Sequence, residues 1–181
     1  MEFNDNDEFD ETILSREELE DLYVVINKCD GIILQGGLTS SAYEVEVAKY
    51  AIEKDIPILG ICAGFNNLVR ALGGDVKVDT TKKHDIYSKE VVHSIKIDKN
   101  SKLYDIFKEE NINVNSIHTM IADDSDIKEF KVTAHSEDGL VEAIELNNKK
   151  FVMGIKWHPE IMFDIDPRME DIFIEFLEAC K

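Results

Sequence analysis

Gly60-Ile61-Cys62-Ala63-Gly64 has the composition of a turn that can present a nucleophile. An apolar run, Pro57-Ile58-Leu59-Gly60-Ile61, leads straight into Cys62, and helix-forming residues follow it. Glycines two positions before and two after the cysteine leave room for a sharp, strained strand-to-helix elbow that pushes the thiol out of the sheet. The N-terminus of the following helix then points at the sulfur and favours the thiolate. The same pattern also suits a buried structural cysteine beside an ordinary strand-to-helix turn, because free cysteines are commonly buried as small hydrophobes.

A second segment, Gly154-Ile155-Lys156-Trp157-His158-Pro159-Glu160, sets a histidine and a carboxylate two residues apart at the end of an apolar strand. In extended chain, residues i and i+2 point the same way, and Pro159 fixes the backbone between them. Glu160 can then orient the imidazole, which can in turn activate a thiol. A surface histidine and glutamate in a loop would share this spacing.

Both segments need a scaffold, and the apolar pattern supplies one. Ser15 and Glu18 form a capping box, with Leu14 and Leu19 at staple positions, so a helix starts at Ser15 and continues through Leu22, Tyr23 and Ile26. Gly31-Ile32-Ile33-Leu34 reads as a buried strand ended by Gly36-Gly37. Residues 41–54 read as a helix with Ala42, Val45, Ala48 and Ile52 on one face. After the Pro57–Ile61 strand comes a helix with Phe65, Leu68, Val69 and Leu72 on one face, stopped by Gly73-Gly74. Alternating strands and helices with continuously apolar strands imply a parallel sheet covered on both faces. In the second half, Glu90–Ile97, Ile112–Asn115, Phe130–His135, Leu140–Leu146 and Phe151–Trp157 are strand candidates, with a short helix near Leu103–Lys108. Asn147-Asn148-Lys149 supplies a hairpin turn between the last pair. A closing helix is expected with Asp166 as N-cap, Pro167 in its first turn, and Met169, Ile172, Phe173, Phe176 and Leu177 inward.

The 181 residues suffice for one ordinary domain. Acids outnumber bases 38 to 20, a formal charge of −18. Ten acids and one base lie in residues 1–21, so that short stretch carries half of the excess. So negative a surface repels phosphate backbones and anionic lipid, which argues against nucleic-acid and membrane-surface partners. Residues 1–13 are acidic and aperiodic and read as a flexible segment. Their lack of a basic region and an apolar core argues against a secretory signal. Three cysteines, Cys29, Cys62 and Cys180, read as reduced thiols of a cytoplasmic protein. No Cys-x-x-Cys pair or His/Cys cluster marks a metal site, and Asp123-Asp124-Ser125-Asp126 lacks the spacing of a calcium loop. His84, His93 and His135 read as surface or hydrogen-bonded histidines without a role.

Taken together, the two segments resemble the class I glutamine amidotransferases, and within them the gamma-glutamyl hydrolase and gamma-glutamyl-GABA hydrolase branch. Four landmarks follow in that family's order: Asp30–Gly37, Pro57–Gly64, Val114-Asn115-Ser116-Ile117-His118, and Gly139–Glu145 followed by Gly154–Glu160. The resemblance implies an α/β fold over residues 14–181, a flavodoxin-like three-layer sandwich with a mostly parallel central sheet and an additional antiparallel strand region. It implies Cys62 as nucleophile, His158 as base and acid, Glu160 as orienting carboxylate, and an oxyanion hole from the backbone N–H groups of Gly37 and Ala63. Gly36, Asn66 and His118 match positions that line the substrate site. No cofactor is implied. The expected substrate is a small gamma-glutamyl compound or glutamine, cleaved through a gamma-glutamyl thioester.

The specificity positions differ from that branch. Ala63 stands where arginine is usual, Asn66 where glutamine is common, Thr119-Met120 in place of His-Gln, and Lys156 in place of Gln. A degenerate, non-catalytic binding or assembly protein, and a glutaminase subunit feeding ammonia to a separate synthase, stay open as alternatives, as do a homo-oligomer and a partner subunit. Members of the family also open with a strand, a helix and a second strand before the helix that precedes Asp30. Residues 1–13 cannot supply these, so the expectation is a sheet lacking its usual first strand, or a chain that is part of a longer one.

Overall fold

The computed structural model describes residues 12–37, 40–86 and 90–181. Helix α1 (Arg16–Ile26) opens as its sequence requires: Ser15 Oγ accepts from the Glu18 N–H at 3.2 Å, and the Glu18 carboxylate accepts from the Ser15 N–H at 2.7 Å. Leu22 and Ile26 are its buried residues. Strand β1 (Ile32–Leu34), helix α2 (Ala42–Lys54, capped by Ser41), strand β2 (Ile58–Ile61) and helix α3 (Ala63–Ala71) follow in the expected order. Then come β3 (Lys77–Val78), β4 (His93–Ile97), α4 (Lys102–Phe107), β5 (Asn111–Val114), β6 (Met120–Ile121), β7 (Lys131–Ser136), β8 (Val141–Glu145), β9 (Val152–Ile155), a 3-10 turn at Pro159–Ile161 and α5 (Met169–Ala179).

One seven-stranded sheet runs in the order β1-β2-β9-β8-β7-β4-β5, while β3 and β6 form a separate antiparallel pair. β1, β2 and β9 are parallel; every later pairing in the large sheet is antiparallel. The α/β class and the antiparallel region are as expected, but the balance differs: among the described residues the antiparallel part is the larger one, not an addition to a mostly parallel sheet. The tight links of the second half account for this, since a short turn such as Asn147–Lys149 can join only antiparallel neighbours.

Side-chain alternation along the central strands divides the core. Ile58 and Val152 face a cluster with Leu22, Ile26, Val45, Ala48, Phe65, Leu68 and Val69 from α1–α3. Leu59, Ile61, Met153 and Ile155 face a cluster with Leu103, Phe107, Met169, Ile172 and Phe176 from α4 and α5. The outcome is three layers, helix–sheet–helix, with every residue of β2 and β9 buried.

Two expectations shift at the C-terminal helix. It starts at Met169, and Asp166 instead spends its carboxylate on the Arg168 N–H (3.1 Å) and guanidinium (2.7 Å). Leu177 is 58% exposed, whereas Met169, Ile172 and Phe176 are buried. At the sheet's other end, β1 pairs with β2 alone among the described residues, and Ile33 is 45% exposed. Residues 12–14 form no strand, and the rest of the acidic N-terminal segment lies outside the described residues.

Candidate active site

The parallel strands end together, which assembles the site. Cys62 follows the last residue of β2, Gly36 lies two past β1, and His158 lies three past β9. The carboxyl ends of adjacent parallel strands are where open α/β sheets build binding crevices.

Cys62 occupies a strained backbone position, φ 52° and ψ −99°, at the N-cap of α3. For a residue with a Cβ this is an uncommon conformation, held here because the surroundings over-determine it. The Cys62 N–H donates to the Ile155 carbonyl of β9 at 2.8 Å, and its carbonyl accepts from the Asn66 N–H at 3.2 Å. Close helix-to-sheet contact completes the elbow. A Cβ on Gly60 would come 2.6 Å from the Gly64 carbonyl oxygen, and one on Gly64 would collide with the Leu34 backbone. The spacing of the two glycines is therefore a packing requirement. The Sγ lies 3.7 Å from the Ile117 carbonyl oxygen. The Ala63 N–H sits in the first helical turn, whose amides have no intrahelical acceptor.

His158 is held on three sides. Its Nδ1 lies 2.6 Å from Glu160 Oε1. Asn115 clamps its backbone, the amide oxygen accepting from the His158 N–H and the amide nitrogen donating to the His158 carbonyl, each at 2.9 Å. Gly36 lies flat against the imidazole, and a side chain there would meet Cε1. Burial disfavours the imidazolium, but hydrogen bonds to Cys62 and Glu160 and their negative charges outweigh it and raise the His158 pKa from 6.5 to about 10. The ring is 16% exposed and the Glu160 side chain 40% exposed, so the site stays open to solvent on the carboxylate side. A cysteine at one strand end and a carboxylate-paired imidazole at the next are the group types that nucleophilic acyl transfer uses. Sequence reasoning paired His158 with Glu160 and overlooked the Asn115 clamp.

Other expected site residues are engaged with the protein itself. Asn66 is buried, and its amide oxygen accepts from the Nζ of buried Lys156 at 3.0 Å. Lys156 also lies 5.2 Å from the centroid of the Phe65 ring. Ala63 is buried, and Gly37 is exposed next to Gly36. His118 is buried, with Nδ1 on the Met120 carbonyl (3.0 Å) and Nε2 near Ser116 Oγ (3.2 Å). Burial and the neighbouring Lys156 charge hold its pKa well below the ordinary value.

Of the two readings of His84, surface or hydrogen-bonded, the structure selects the second and buries the ring. It is 3% exposed, stacks with His118 at a centroid distance of 5.1 Å, and packs edge-on against His93 at 5.2 Å. Its Nε2 pairs with Asp138 at 3.1 Å. Glu142, fully buried on β8, approaches His93 Nε2 at 3.5 Å and His118 Nε2 at 3.9 Å. Burial raises the Glu142 pKa against the pull of Lys156. No local spacing links these residues; the fold alone brings them together. His135, by contrast, is a surface residue paired with Asp124 at 2.7 Å.

A three-layer α/β fold with a cysteine elbow at one strand end and a His-Pro-Glu at the next is the architecture of the class I glutamine amidotransferases. The chain matches the Peptidase C26 family over residues 39–160, and it belongs to that family. The glutamine amidotransferase-like protein YvdE of Lactococcus lactis subsp. lactis is 31% identical over 189 residues, covering 89% of this chain and 78% of that one. The gamma-glutamyl-gamma-aminobutyrate hydrolase PuuD of Escherichia coli K12 is 29% identical over 148 residues; the match covers 75% of this chain and 58% of that one. In structure, the glutaminase domain of Trypanosoma brucei CTPS, solved with bound acivicin, superposes with a TM-score of 0.73 at 19% identity, over 93% of this chain and 79% of that one. Membership places the chain among cysteine-type amide hydrolases and glutamine amidotransferases. No helix among the described residues is long and apolar enough to cross a membrane.

Proposed function

We propose that the protein hydrolyses a gamma-glutamyl amide or the amide of glutamine through a thioester on Cys62. The observation that carries this reading is the His158 imidazole, held between the strained Cys62 elbow and Glu160. The Cys62 thiolate attacks the side-chain carbonyl carbon. The developing oxyanion accepts hydrogen bonds from the Ala63 and Gly37 N–H groups. Protonated His158 gives its proton to the leaving nitrogen as the carbon–nitrogen bond breaks. Water then attacks the thioester, neutral His158 takes its proton, and glutamate leaves as the sulfur departs. Glu160 keeps the ring oriented and stabilises its charged form throughout.

The substrate's outer portion faces a pocket unlike that of the usual gamma-glutamyl hydrolases. Ala63 offers no guanidinium for a carboxylate, and Asn66 is already bound to Lys156. Incubating the protein with glutamine and a panel of gamma-glutamyl amides, and scoring release of glutamate with ammonia or amine, tests the proposal. Turnover of at least one substrate, lost in Cys62→Ala, is the expected result. Absence of glutamate release from every member, or release undiminished in Cys62→Ala, would overturn it.

A further inference from the structure

We propose that His84, His93 and Glu142 form a binding site for one divalent transition-metal ion of the zinc type, beside the segment that touches Cys62. One ligand atom from each of the three lies within 4.8 Å of the others. The 3.5 Å between His93 Nε2 and Glu142 Oε1 is close to the separation of two ligands on a tetrahedral ion with bonds of about 2.0–2.1 Å. Two imidazoles and a carboxylate favour zinc-like ions over magnesium or calcium, which prefer all-oxygen shells.

The second observation is that this cage gathers buried polar atoms without partners. Both Glu142 oxygens and His93 Nε2 are buried with no hydrogen-bond partner, so the 3.5 Å approach between them is not a hydrogen bond. Glu142 is fully buried, where an unpaired carboxylate is costly. Asp138 accepts from His84 Nε2, which puts that ring's lone pair on Nδ1, 3.3 Å from Ser116 Oγ. The Met120 carbonyl accepts from His118 Nδ1, which puts the second lone pair on Nε2, 3.2 Å from the same hydroxyl. Ser116 has one proton, and the His84 carbonyl at 2.9 Å competes for it. Lys156 lends positive charge to Glu142, whose two oxygens are still without a hydrogen bond. A cation bound between the imidazoles and Glu142 would meet these needs together. Asp138 behind His84 then plays the outer-sphere part in which a carboxylate fixes a ligating imidazole's tautomer.

The cage adjoins the nucleophile without including it. Ser116 and His118 flank Ile117, whose carbonyl oxygen lies 3.7 Å from Cys62 Sγ. Occupancy would therefore brace the strip of backbone against which the thiol rests.

Cobalt titration of the intact protein, followed by visible absorption, tests the assignment apart from any enzymatic reading. Nitrogen and oxygen ligands give weak d–d bands alone, whereas a thiolate adds intense sulfur-to-metal charge transfer. The expected result is saturation at one ion per chain, displaced by zinc, without charge transfer. His93→Gln should weaken binding by at least tenfold. Asp138→Asn, at a position 44% exposed and so tolerant of change, should weaken it by about 10–100-fold. No saturable binding, a charge-transfer band assigning the ion to a cysteine, or unchanged affinity in both variants would overturn the proposal. The first outcome would mean that protons alone satisfy the cage, and the other two that the ion binds elsewhere.

Discussion

Glu160→Gln isolates what the carboxylate does for His158. The wild-type imidazole is raised from 6.5 to about 10, which at about 1.4 kcal/mol per pH unit is on the order of 5 kcal/mol favouring its charged form. Burial is already counted against that net figure, and Cys62 contributes more than Glu160 through its hydrogen bond. Glutamine keeps a hydrogen bond to Nδ1 and loses the charge. A hydrogen bond to an ionised group is worth about 1.5–3 kcal/mol and a neutral one about 0.5–1.5, so the difference is about 1–2 kcal/mol. The Glu160 side chain is 40% exposed, and screening puts the effect at the lower end. His158 should therefore titrate about one pH unit lower. The alkaline limb of the kcat/KM profile should move by the same amount, with kcat reduced about fivefold as the imidazolium loses support. The paired titration belongs to Cys62 and His158 jointly, so NMR of the imidazole should accompany the kinetics. The stability consequence has a definite sign. A raised histidine pKa adds stability that is full below about pH 6.5 and lost as pH rises through about 10, so the variant should differ most from wild type below neutrality. An alkaline limb that does not move, with the ring still titrating near 10, would refute the role given to Glu160.

Asn115→Ala removes two hydrogen bonds to the half-buried His158 backbone, whose carbonyl keeps the Ile161 N–H at 3.4 Å, at a cost of about 1–3 kcal/mol, seen as a Tm drop of about 2–12 °C and a fall in kcat larger than any rise in KM. Gly64→Ala forces a methyl into the Leu34 backbone, so it should cost about 1–3 kcal/mol or more and lower Tm by differential scanning calorimetry, with loss of activity as the elbow shifts. Ser15→Ala breaks the capping box of α1 and should lower Tm slightly while leaving turnover intact, because Ser15 is exposed and its side chain bonds to the Glu18 N–H of its own helix.

What the sequence disclosed was what depends on near neighbours. The Ser15–Glu18 box spans three residues, the His158–Glu160 pair spans two, and the Cys62 elbow is set by glycines two away on either side. Each of these is found in the structure because its geometry is fixed within one turn of chain. The Asn115 clamp on His158 spans 43 residues, the His84–Asp138 pair 54, and the Lys156–Asn66 bond 90. Such partners meet only when the sheet order is known, and the strand pattern left that order open. Whether His84 was a surface or a hydrogen-bonded histidine stayed open for the same reason. It sits between charged and polar residues, Lys82, Lys83 and Asp85, which are exposed, yet its own side chain turns inward to Ser116 and Asp138. At the last helix, the Asp166-Pro167 pair looked like a start, but the Arg168 guanidinium competes for the carboxylate and the helix begins later.

The measurement that bears most directly on the central claim is the site of covalent capture by a glutamine-shaped chloroketone, read by peptide mass spectrometry. The reagent transfers its carbon to a cysteine sulfur with loss of chloride, so it reports which thiolate is poised in a glutamine-binding site. Cys29 is exposed and serves as the internal control for bare accessibility, while Cys62 is buried at the elbow. The account predicts rapid, stoichiometric labelling of Cys62 ahead of Cys29 and Cys180, in step with loss of glutamate release, and strongly slowed in His158→Ala. Labelling that follows exposure, with Cys29 modified first and Cys62 left intact, would contradict it.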